Sequence, residues 1–251
     1  MSMKNHLIDT VGQVFEQSYR SFHLALTGLV AESMTGAVPT SARAIDAFRR
    51  ASDQLEQSTL TLFADWLGSA LADAAETALK DTGAAEFPAS LPGEVIDAAR
   101  AVRAEVLGTL SAALQKDCAA AAKRMRDFCL RVDLLMTRRG YPYEEAVRSA
   151  RIAEQQKPMS FAVLDTLGRK WKPSTYAGST VRSAMQTTYA DTFARAAAAL
   201  GASQVQVSYP DPAHDGHGQL LSLAGGTHPS YLSMRDEVFH PNSGATLALV
   251  G

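Results

Sequence analysis

Four of the six histidines, His214, His217, His228 and His240, fall in the last 38 residues of this 251-residue chain. With Asp211 and Asp215 they offer the imidazole and carboxylate ligands that suit zinc and similar ions. His214 and His217 have His-x-x-His spacing, but they sit in "PDPAHDGHGQ", a Pro- and Gly-rich stretch where no helix fixes the geometry of the rings. The same residues allow a hydrolytic reading, with a histidine base beside Asp215 or Asp236 and a serine nearby. Against it, there is no Gly-x-Ser-x-Gly, no phosphate-binding Gly-rich loop and no His-Glu-x-x-His. The third reading is architectural: these side chains cap turns and bond backbone groups in a loop-rich module.

The closing stretch "FHPNSGATLAL", Phe239 to Leu249, supports the same architectural reading. Pro241 fixes φ, while Asn242 closes an Asx-type turn or occupies the left-handed region. Ser243 and Gly244 then let the chain enter a last strand.

These clusters need a frame. Apolar residues Ile8, Val11, Phe15, Phe22, Leu26 and Leu29 recur at helical spacing, and predict a helix over His6 to Met34. Gly36 and Pro39 break it. A second helix is expected from Ser41 to Lys80 on Ile45, Phe48, Leu55, Leu62 and Trp66. Gly83, Pro88 and Pro92 precede a third, Glu94 to Arg139, striped by Val95, Val102, Val106, Leu110, Leu114, Cys118, Met125, Val132 and Leu135. Arg138 and Arg139 complement its C-terminal dipole and Gly140 caps it. Such stripes bury against one another in a bundle, or one of them packs on another protein.

Pro142 opens a short helix, with Glu144 and Glu145 in its first turn. Ser174 is expected to cap a further helix that Gly201 closes. "SQVQVSY" alternates as a strand, Leu220 to Leu223 forms a second, and Thr246 to Val250 a third. The fold class is therefore α+β and predominantly α-helical. Long N-terminal helices, a bundle or arm over 1–155, precede a small module with a short antiparallel sheet over 156–251.

The formal charge of −2 and pI near 6.3 give no global case for nucleic acid. Locally, Lys123 to Arg182 holds 13 Lys or Arg against 6 Asp or Glu. Arg138, Arg139, Arg169, Lys170, Lys172 and Arg182 are the candidate contacts to nucleic acid or an acidic partner; a solvated face is the plainer reading. Cys118 and Cys129, eleven residues apart on one helix, lie roughly 16 Å apart along its axis. A disulfide needs Cα atoms within about 7 Å, so reduced, buried thiols are expected. No secretory signal and no membrane span are read from the sequence.

The tail resembles the phage minor capsid, or head-morphogenesis, family. The resemblance rests on the order of "VRSAMQTTYADTFARAAAALGASQVQVSY", "PAHDGHGQLLSLAG" and "YLSMRDEVFHPNSGATL". It covers roughly Trp171 to Val250. Relatives have a helix, Gly and a "VxVS" strand, then a His or Cys cluster leading into a second strand, and an "HPNCRH"-like close. Many have a cysteine where this chain has Ser243 and a basic residue where it has Gly244. Some have a cysteine pair where it has "AHDGHG", so a cysteine-based metal site is not expected here.

The resemblance implies a virion protein, made in the host cytoplasm and incorporated in low copy near the portal vertex. It implies contact with the portal protein, the major capsid protein or both, and for some relatives with packaged DNA. No enzyme, cofactor, membrane partner or fused toxin domain is expected. His214, Asp215, Gly218, Gln219, His240, Pro241 and Asn242 are expected to hold the module's turns. A DNA-associated packaging or ejection factor, and a metal-dependent hydrolase on the four histidines, remain the alternatives.

Overall fold

A computed structural model describes residues 3–35, 41–83, 93–156, 159–164, 168–240 and 244–250. Within them lie six helices: α1 Met3–Thr35, α2 Ser41–Asp81, α3 Gly93–Arg139, α4 Tyr143–Gln155, α5 Pro173–Ala199 and α6 Tyr231–Val238. Strands β1 Val163–Leu164 and β2 Lys170–Trp171 form a two-stranded antiparallel ladder. Strands β3 Gln204–Ser208, β4 Leu220–Ser222 and β5 Thr246–Leu249 form an antiparallel sheet in the order β4-β3-β5. The α+β, mainly helical class is as expected. No helix among the described residues is long and apolar enough to cross a membrane.

The chain divides into two compact units that are not contiguous in sequence. Unit 1 comprises 1–16, 63–108 and 177–251; unit 2 comprises 17–62 and 109–176. The sequence boundary expected at 155/156 falls inside unit 2, and four long helices each contribute residues to both units.

In unit 1, α5 is the central element. Val181, Met185, Tyr189, Phe193 and Ala197 are buried, and so are Gln186, Thr188 and Thr192 on other faces. Small side chains permit this. A Cβ on Gly178 of α5 would lie 2.8 Å from the backbone oxygen of Gly12 in α1, and 2.4 Å from Glu16 Cγ. The two helices therefore touch nearly backbone to backbone. Val205 and Val207 of β3, Leu221 of β4 and Leu247 of β5 are buried in the same unit. The alternation of strand residues places their partners Gln204 and Gln206 on the opposite face.

In unit 2, Tyr19, Phe22, Leu26, Val30 and Met34 form the buried stripe of α1. Their spacing of three and four residues keeps one face toward the core. On α3 the stripe is Leu110, Leu114, Cys118, Ala121, Met125, Phe128 and Val132. Short α4 contributes Ala146, Ala150 and Glu154, each one turn apart.

Several expectations are corrected. On α2 the buried seam runs through Ala44, Phe48, Ser52, Glu56, Phe63 and Leu67. Ile45 and Leu55 are only half-buried, and Leu62 and Trp66 are exposed. Hydropathy favours large side chains, whereas the seam of α2 mixes Phe48, Phe63 and Leu67 with the small or polar Ala44, Ser52 and Glu56. Val11, Leu29, Val102 and Leu135 are likewise half-buried flanks. Ser174 does not cap α5. The first helical residue is Pro173, and the Lys172 carbonyl accepts from Tyr176 N at 3.0 Å. Proline suits that position because its missing N–H has no helical partner there. Gly201, at φ +88°, closes α5 as expected: its N–H donates to Ala198 O and that of Ala202 to Ala197 O, both at 3.0 Å. Helix α6 and the β1–β2 ladder were not anticipated, being too short for a periodic signal.

Candidate functional site

The segment between β3 and β4 is built by side chains folded onto their own backbone. Asp211 Oδ1 accepts from Ala213 N at 2.9 Å, an Asx turn. His214 Nδ1 accepts from Gly216 N at 3.1 Å, and its ring stacks on Tyr209 with centroids 3.7 Å apart. His217 Nδ1 lies 3.1 Å from Tyr209 N and 3.2 Å from Tyr209 O. The ladder then resumes, with Val207 N donating to Gln219 O and Gly218 N to Val207 O, each at 2.8 Å. Gly218 has φ +84°, a conformation that disfavours any side chain. Gly216 is required for a different reason, since a Cβ there would meet Tyr209 Cε2 at 2.9 Å.

The expected tail residues thus separate. His214, Asp215, His217, Gly218 and Gln219 share this turn, where Asp215 is exposed. His228 is half-buried in the bend before Ser230, which bridges to Ser222. His240 is exposed and follows buried Phe239 at the end of α6. Pro241, Asn242 and Ser243 lie outside the described residues. No group of three or more His, Cys, Asp or Glu side chains gathers as a metal site among the described residues.

A second constellation in unit 1 fastens the entry to β5. The Ala245 carbonyl accepts from Lys4 Nζ and, at 3.4 Å, from Gln186 Nε2. The Lys4 ammonium lies 4.4 Å from the Tyr189 ring centroid, and Tyr189 donates its hydroxyl to Asp81 Oδ2 at 2.6 Å. Lys4 is 2% exposed. Burial pulls its pKa down to about 7, and the nearby Asp81 charge opposes that shift. Asn5 Nδ2 also donates to Gly244 O at 3.4 Å. Helix α6 is held by Asp191 of α5, which accepts from Tyr231 at 2.6 Å and from Arg235 at 3.3 Å.

Unit 2 holds a constellation that the sequence reading missed. Buried Asp117 accepts from Tyr19 OH at 3.0 Å, and its Oδ2 lies 2.7 Å from His23 Nε2. His23 stacks on Phe161 at 4.2 Å. A carboxylate-oriented histidine is half of a base–nucleophile arrangement. The neighbouring Cys118 does not complete it. Burial, then Glu56, Asp117 and Asp53, push its thiol up to about 12, and its sulfur faces Ser52 O at 3.8 Å. Both cysteines are free and buried. The legible signal was Asp117 itself, a carboxylate between Leu114 and Ala121 on an apolar stripe.

The candidate cationic residues fall in both units. Arg182 belongs to unit 1 and pairs with Glu16 at 3.0 Å and Asp9 at 3.7 Å. Arg138 and Arg139 are exposed at the end of α3. Arg169, Lys170 and Lys172 are exposed around β2, in the ladder that follows Ala162, whose carbonyl accepts from Lys116 Nζ at 3.2 Å. Lys116 and Arg138 lie about 33 Å apart along the helix axis.

No protein-family model, curated protein or solved structure matches the chain.

Proposed function

We propose that this chain is a structural phage head protein of the minor-capsid or head-morphogenesis kind, present in low copy near the portal vertex. It acts in head assembly or genome packaging, through contacts with the portal protein, the major capsid protein or both, and it is not an enzyme. The reading starts from the ordered resemblance between Trp171 and Val250. The observation that carries it further is the use made of the imidazoles. His214 and His217 turn their Nδ1 atoms onto the backbone of their own turn, as architectural residues do. Quantitative mass spectrometry of purified DNA-filled particles, with cross-linking, tests it. A few copies per particle cross-linked to portal support the reading, whereas absence from both particles and assembly intermediates sinks it.

A DNA-associated packaging or ejection factor is the second reading, favoured by the exposed Arg169, Lys170 and Lys172. Phosphate contacts make affinity fall steeply as salt rises. Replacing both lysines by alanine is expected to flatten that dependence, while Arg182→Ala leaves it unchanged. Absence of binding at low salt removes this reading.

A further inference from the structure

Unit 2 carries a groove of about 420 Å³ between one face of α2 and one face of α3. Asp46, Arg49, Asp53 and Glu56 line it from α2, with Cys118 and Arg126 from α3. We propose that the Glu56 end of this groove binds the primary ammonium group of an alkylamine, with the Glu56 and Asp53 carboxylates as its acceptors.

A buried carboxylate without a partner carries the inference. Glu56 is 8% exposed, and its carboxylate has no hydrogen bond or ion pair among the described residues. Its oxygens are not sealed, and the groove is what they open on. Asp53, three residues earlier on the same helix face, is exposed and likewise has neither kind of partner among the described residues. Both carboxylates act on one point. Their charges help to raise the thiol of Cys118, whose sulfur faces the Ser52 carbonyl at 3.8 Å. The groove's own cations stand away from that point and are exposed to water. Arg49 is seven residues from Glu56, roughly 10.5 Å along α2, and Arg126 is eight from Cys118, roughly 12 Å along α3. A carboxylate drawn out of water and left unpaired is costly, and a charged donor offsets that cost best.

The lining selects an ammonium among cations. Among the described residues no third His, Cys, Asp or Glu joins the two carboxylates as a metal site, so a divalent ion would lack ligands. An ammonium is a compact charge with three N–H donors, enough for both carboxylates. Ile45, Ala119 and Ala122 line the same groove and offer apolar surface to the methylenes behind the charge. The amine belongs to a free diamine or to the lysine side chain of a peptide; both present the same chemistry.

Calorimetric titration of the full chain with pentylammonium, tetramethylammonium and pentanol tests the proposal. Pentylammonium is expected to bind saturably. The other two should bind about tenfold more weakly or not at all, since one lacks N–H donors and the other lacks the charge. Cadaverine and Nα-acetyl-lysine amide then assign the source: tighter binding of the first marks a free diamine, and of the second a peptide side chain. Glu56→Gln is expected to lower the affinity for pentylammonium about tenfold. Asp53→Asn, at an exposed position, is expected to lower it about threefold with an unchanged melting curve, and it decides the matter if Glu56→Gln does not fold. Equal affinity for pentylammonium and tetramethylammonium, no saturable binding of pentylammonium, or undiminished binding by either variant overturns the proposal.

Discussion

Gly178 of α5 sits over the backbone carbonyl of Gly12 in α1, so close that a methyl group at 178 would lie 2.8 Å from that oxygen. The obstacle is backbone, which cannot swing aside as a side chain does. Gly178→Ala is therefore expected to destabilise the fold by about 1–3 kcal/mol, the usual cost of overpacking, despite alanine's better helix propensity. Urea denaturation followed by circular dichroism measures this. A stabilised variant would show that α1 and α5 do not approach so closely.

Lys4 predicts a pH dependence with a definite sign. Its pKa in the folded chain is about 7, below its usual value, because burial disfavours the charge. Between these values the unfolded chain binds more protons than the folded one, so stability rises with pH. The contribution of Lys4 is greatest above the unfolded pKa, declines as pH falls toward 7, and is constant below. In Lys4→Met that slope should disappear from stability curves measured between pH 7 and 10. An identical slope in both proteins would contradict a buried Lys4.

The turn at 209–218 predicts a local effect. His217→Ala removes the bonds between the imidazole and the Tyr209 backbone. A loss of about 1 kcal/mol is expected, with faster hydrogen exchange at Tyr209 and Gly218. Unchanged exchange at both amides would show that the ring does not hold the turn.

Asp117 joins Tyr19 and His23 in unit 2, and its two partners should respond unequally. Asp117→Ala leaves a buried hydroxyl and an imidazole without their acceptor, and is expected to cost about 3 kcal/mol. Tyr19→Phe removes donor and polar group together and should cost about 1 kcal/mol. Thermal melting of both variants tests the ranking, and equal losses would argue against a shared carboxylate.

Cys118 is expected to resist thiol reagents at neutral pH, since burial and its acidic neighbours push its thiol up to about 12. Burial also raises the Cys129 thiol. The reactive species is the thiolate. Both cysteines should label at the rate of global unfolding, and rapid labelling of the native chain would show that α3 is not packed as described.

Sequence periodicity alone determined the long helices, because residues three and four apart must share a face whatever they pack on. Gly201 was legible as the stop of α5 for an equally local reason: only glycine takes that backbone conformation freely. The strand alternation of Val205 and Val207 also survives any choice of partner. Tertiary structure decided what local rules leave open. It chose Ala44, Ser52 and Glu56 for the seam of α2 over Ile45, Leu55 and Leu62, because which face of a helix is buried is set by the elements packed on it and not by hydropathy alone. It gave Arg182 to Glu16 and Asp9, and Lys4 to Ala245, across separations of 166 and 241 residues in the cases of Glu16 and Ala245. It set His214 and His217 on their own turn and brought His23 to Asp117. Period and propensity act within one element, while ion pairs, buried polar bonds and backbone contacts depend on which elements meet.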